Sequence, residues 1–122
     1  MNANALKAAP IVILLAAAIF AQGPRVDLIH LDPQPAINGG CPAHVHFSGR
    51  IRTTGPLDVE YEWLRSDGAH TDHNLHFARA SEMPVQTDWT ISKNYAGWMQ
   101  LVILSPRRMQ TAKATFSVNC GR

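Results

Sequence analysis

From Cys41 to Cys120 the chain places an apolar residue at every second position in segment after segment, with Gly, Pro, Asn or Asp between the segments. A period of two belongs to strands that bury one face and wet the other. The longest run puts Cys41, Ala43, Val45, Phe47, Gly49 and Ile51 on one face, against His44, His46, Ser48, Arg50 and Arg52 on the other. After the turn at Thr53 to Pro56, Leu57, Val59, Tyr61 and Trp63 face inward and Asp58, Glu60 and Glu62 outward. Val85, Thr87, Trp89 and Ile91 repeat the pattern, and Ala112, Ala114, Phe116, Val118 and Cys120 close it. The segment from Trp98 to Leu104 is apolar on both phases. That marks a central strand covered on both sides or a contact surface, with its solvent-phase residues to be chosen from Met99, Leu101 and Ile103.

A first strand near Val26 to Leu31 and a weaker one near Asn74 to Ala78 bring the count to seven. Seven short strands in about 95 residues describe an all-β, immunoglobulin-like or fibronectin III-like sandwich, in which each sheet hides one face. In that topology the start of the second strand and the end of the seventh lie at the same end. Cys41 opens one and Cys120 closes the other, so the two thiols can meet and the pattern predicts one disulfide, stabilising by about 4 kcal/mol on a chain-entropy estimate. A metal-thiolate pair or a redox couple is the competing reading, but the two cysteines are not in a C-x-x-C arrangement.

The compartment follows from the other end of the chain. Lys7 precedes an apolar run from Ala8 to Ala21, broken only by Pro10. At about 14 residues the run is too short to cross a bilayer, and it ends in a small residue. Residues 1–21 are therefore read as a signal peptide and 22–122 as one mature domain, secreted or periplasmic, with no stable membrane span after cleavage. Without Lys7 the 11 basic and 9 acidic side chains become nearly balanced, which argues against nucleic acid as the main partner.

The stretch Tyr61-Glu62-Trp63-Leu64-Arg65-Ser66-Asp67-Gly68, with Cys41-Pro42 before it and Asp88-Trp89-Thr90 and Tyr95 to Trp98 after it, resembles small immunoglobulin-like domains of bacterial exported proteins. The likeness runs from Asn38 to Cys120. It implies that Trp63 is the buried third-strand tryptophan and that Tyr95 is the corner tyrosine before the sixth strand, its hydroxyl bonded back to main chain. Tyr61, Trp89 and Phe116 complete the expected aromatic core. Gly97 stands where antibody domains carry their second cysteine, so the resemblance is to the sandwich and not to antibody function.

Catalytic patterns are absent: there is no G-x-S-x-G, no H-E-x-x-H, no phosphate loop and no spare cysteine. Asp58, Glu60 and Glu62 share one strand face, which reads as a solvated face rather than an acid/base site, so the chain is not expected to be an enzyme. Two features point to binding. The connection Ser105 to Gln110 displays Arg107, Arg108 and Met109 at the end shared with the Thr53 to Pro56 turn, which suits recognition of a protein or glycan partner. The six histidines, His30, His44, His46, His70, His73 and His76, all precede residue 77. His44 and His46 lie about 6–7 Å apart on one strand face. With His70, His73 and His76 in the connection leaving the third strand, and with Asp72 or His73 as third ligand, they form a candidate Zn²⁺ or Cu²⁺ set. The leading expectation is a non-catalytic recognition or structural module with no cofactor, and the alternative is an exported metal-binding protein.

Overall fold

A computed structural model describes residues 23–121, and residues 1–21, expected from the sequence to be a signal peptide, lie with the expected cleavage site outside the described residues. The chain forms β1 (Val26–Leu31), β2 (Ile37–Asn38), β3 (Ala43–Thr53), β4 (Leu57–Arg65), β5 (His70–Phe77), β6 (Ser81–Ile91), β7 (Tyr95–Ser105), β8 (Met109–Gln110) and β9 (Ala114–Asn119). A smaller sheet has the order β1-β3-β6, and a larger one β2-β9-β7-β4-β5, with β8 paired to β7. The fold is an all-β sandwich. Apolar alternation explains it, because Val45, Phe47 and Ile51 of one sheet and Val59, Trp63, Leu101 and Ile103 of the other are removed from water together.

The Cys41–Cys120 bridge is present, with Cα atoms 5.2 Å apart and 79 residues between them. It ties the start of β3 in the smaller sheet to the end of β9 in the larger. Beside this end an aromatic cluster also crosses the interior: Phe116 meets Phe47 at 5.6 Å and Trp89 at 5.3 Å, both edge-on. Trp63 is 2% exposed, and its indole N–H has no hydrogen-bond partner among the described residues. Tyr61, Trp89 and Phe116 are buried, while Tyr95 is half-buried.

Four expectations are corrected. Met99, Leu101 and Ile103 are core residues, at 1%, 0% and 0% exposure, and the outward phase of β7 is Trp98, Gln100, Val102 and Leu104. Ala112 is exposed because the last strand breaks between β8 and β9, where the Thr111 hydroxyl accepts from Leu101 N and its carbonyl accepts from Gln100 Nε2. The Tyr95 hydroxyl pairs with the Ser66 side chain at 2.8 Å rather than with main chain, and Ser66 Oγ also accepts from Trp98 N. A Cβ on Gly97 would collide with both Ser66 Oγ and the Tyr95 ring, so the side-chain-free position leaves room for that bond.

The fourth correction concerns the connection after β4. Residues 70–77 are a full strand and not a loop. Asp67 accepts from Ala69 N and from Arg65, Gly68 takes φ 91°, and Arg65 N bonds Ala69 O, so the chain reverses in four residues. An Asp-Gly pair between alternating segments is a hairpin signal, and glycine meets the positive φ without steric cost. The conspicuous R-S-D-G of the sequence is thus the turn that lays β5 along β4.

Candidate functional site

Hairpin register decides which polar groups meet. On the outward face of β4 and β5, Asp58 lies opposite His76, Glu60 opposite Asn74, Glu62 opposite Asp72 and Leu64 opposite His70. Asp58 and His76 are bound to each other at 2.5 Å and remain largely exposed. Glu62 differs from its neighbours. Its side chain is only 12% exposed, between β5 and the buried outward residues Val102 and Gln100 of β7. Loss of hydration raises its carboxyl above the ordinary carboxylate range, and the adjoining Asp72 raises it further. His70 and Arg108 act in the opposite direction without cancelling the shift.

Glu62, His70 and Asp72 are the one group of metal-capable side chains among the described residues whose ligand atoms all lie within 4.8 Å of one another. His70 Nδ1 is 3.4 Å from Glu62 Oε1 and 3.3 Å from Asp72 Oδ1. The histidine set expected from the sequence is therefore not gathered at one place. His44 and His46 project from the outer face of the smaller sheet, where His44 meets Thr90 at 3.0 Å and His46 meets Asp88 at 2.8 Å. His30, also in that sheet, bonds Asp32 at 2.9 Å. His70 and His76 are six residues apart on one face of β5, about 20 Å by strand rise, and His73 turns to the opposite face, where it stacks on Tyr61 at 5.2 Å.

A second feature lies at the end that carries the connection from β7 to β8. Arg107 and Arg108 are exposed, and Met109 packs partly on the core. Arg107 and Met109 share a cleft of about 560 Å³ with Pro24 and Arg25. Thr54 N bonds Arg25 O, which holds the amino-terminal segment against the β3–β4 turn. The sequence offers Arg107 to Met109 as candidates but not Arg25, whose place beside them is set by that tertiary contact. Nor does it offer the Glu62–His70–Asp72 grouping, for which Asp67-Gly68 is the available signal.

Compared with known proteins, the chain matches no protein-family model and no curated protein.

Proposed function

We propose that this chain is a non-catalytic, exported recognition module that meets an acidic protein or glycan partner at the cleft between its amino-terminal segment and the β7–β8 connection. The observation that carries the reading is the state of its arginines. Arg50, Arg52 and Arg65 each bind a carboxylate within the fold. Arg25 and Arg107, which line the cleft, make no ion pair among the described residues. A guanidinium presents five donors in a planar fork, and a pair of them beside an apolar methionine suits a carboxylate- or sulfate-bearing ligand. Rigid sheets beneath the loops keep the ordering cost of such contact low.

Cross-linking in the exporting cell, followed by mass spectrometry, tests this reading. A partner captured by the wild type should be lost from an Arg25→Ala/Arg107→Ala variant whose melting temperature is unchanged; undiminished capture by that variant, or no capture by either protein, overturns it. Export itself predicts an intact mass beginning near Gln22, and an exported chain that still carries Met1 to Ala21 contradicts it.

A further inference from the structure

We infer that Glu62, His70 and Asp72 form a binding site for one divalent cation of the zinc type on the outer face of the larger sheet. The site is distinct from the arginine cleft, and it does not depend on the recognition reading.

The separations within the group argue for a shared ligand. Bonds of about 2.0–2.1 Å from Zn²⁺ to imidazole nitrogen and carboxylate oxygen put neighbouring ligands of a tetrahedral site about 3.3–3.4 Å apart. His70 Nδ1 stands at 3.4 Å from Glu62 Oε1 and 3.3 Å from Asp72 Oδ1. The imidazole–carboxylate hydrogen bonds at His30–Asp32 and His46–Asp88 close to 2.9 and 2.8 Å, whereas the one from His70 to Asp72 is stretched to 3.3 Å. The longer spacing around His70 leaves one nitrogen within 3.4 Å of two carboxylate oxygens, and all three ligand atoms lie within 4.8 Å of one another.

Charge argues the same way. One imidazolium neutralises at most one of the two carboxylates, and Glu62 is largely removed from solvent. Arg108 supplies positive charge toward Glu62 from the β7–β8 connection but forms no ion pair with it among the described residues. A divalent cation balances both carboxylates with His70 neutral. Mixed nitrogen and oxygen donors favour Zn²⁺ over Mg²⁺ or Ca²⁺, which prefer oxygen alone. Three protein ligands leave one tetrahedral position for water or a partner's group.

The backbone fixes the arrangement. His70 and Asp72 are two positions apart on one face of β5, and Glu62 sits opposite Asp72 in the β4–β5 register. Ligands carried on paired strands behind a four-residue turn need little reorganisation to close on an ion.

Calorimetric titration of tag-free protein with ZnCl2 at pH 7.5 tests the site. Wild type should bind one Zn²⁺ saturably in the micromolar range, and Glu62→Gln, His70→Ala and Asp72→Asn should each weaken binding by about 10-fold or more. Arg108→Ala should bind equally or more tightly, because a competing cation is removed. His44→Ala/His46→Ala should bind as wild type does. Thermal melts in chelator show that each variant is folded, and a variant that does not fold is replaced at that position by His70→Gln, Asp72→Ala or Glu62→Ala. Absence of saturable binding up to about 100 μM Zn²⁺, undiminished binding by His70→Ala, or loss confined to the His44/His46 variant each overturns the proposal.

Discussion

The two outer faces of this sandwich are built on different principles. On the smaller sheet the prominent charged and imidazole groups keep contact with water and are answered by a neighbour: Arg50 by Glu82, Arg52 by Asp27, His46 by Asp88 and His30 by Asp32. Such pairs stay hydrated, and each contributes little. On the larger sheet Val102 is fully buried and Gln100 is 7% exposed although both point outward, and Glu62 is drawn down among them. Polar groups there lose hydration and must find partners within the protein. The contrast teaches that alternation alone does not tell a solvated face from a desolvated one. Asp58 and Glu62 occupy equivalent phases of β4, yet one is bathed in water and the other is not.

Variants in the shared interior set the scale for this comparison. Trp63→Ala should destabilise the domain by about 3–5 kcal/mol, the range for emptying a buried aromatic site, and chemical denaturation measures it. Trp63→Phe should cost much less, because it also removes an indole N–H that has no partner among the described residues. A wild-type-like midpoint for Trp63→Ala would break the assignment of β4 phases on which both faces depend. Cys41→Ala should cost about 4 kcal/mol by releasing a long loop. Non-reducing peptide mapping should recover the Cys41–Cys120 link, and free thiols in the folded protein would remove the inter-sheet tie.

A smaller effect separates the two faces directly. Because burial and Asp72 raise the Glu62 carboxyl, folding favours its protonated form. Its contribution to stability is therefore greatest below the ordinary carboxylate range and falls as pH rises through the raised folded value. With chelator present at pH 7.5, Glu62→Gln should melt above wild type by roughly 2 °C, and the gap should vanish in acid. A variant that melts lower at pH 7.5 would show that Glu62 is satisfied as an anion, as the exposed carboxylates are. On the smaller sheet, Asp88→Asn should change stability by less than about 0.5 kcal/mol in ordinary salt. A larger loss there would erase the distinction between the faces.

Most strands could be read from alternation because a β-sandwich buries one phase of each strand, as the runs at Cys41–Arg52 and Leu57–Trp63 do. The bridge was legible for the same reason, with both cysteines inward at ends that the topology brings together. Strand β7 was not legible in detail. When both phases of a segment such as Trp98 to Leu104 are apolar, periodicity cannot say which one faces the core. The weak strand expected at Asn74 to Ala78 is the end of a longer β5, because His70 to Asn74 are polar on both phases, as an edge strand permits, and only their pairing with β4 makes them a strand.

By itself, the sequence determined an all-β chain with one disulfide, an aromatic interior around Trp63 and an arginine-bearing connection near its end. Those properties follow from local alternation and from residue types that have few other places to go. Tertiary structure alone decided that the histidines disperse over two sheets, that Arg25 joins Arg107 across a cleft, and that Glu62 meets His70 and Asp72. Each depends on strand register or on contact between distant segments, where a shift of one residue sends a side chain to the other face.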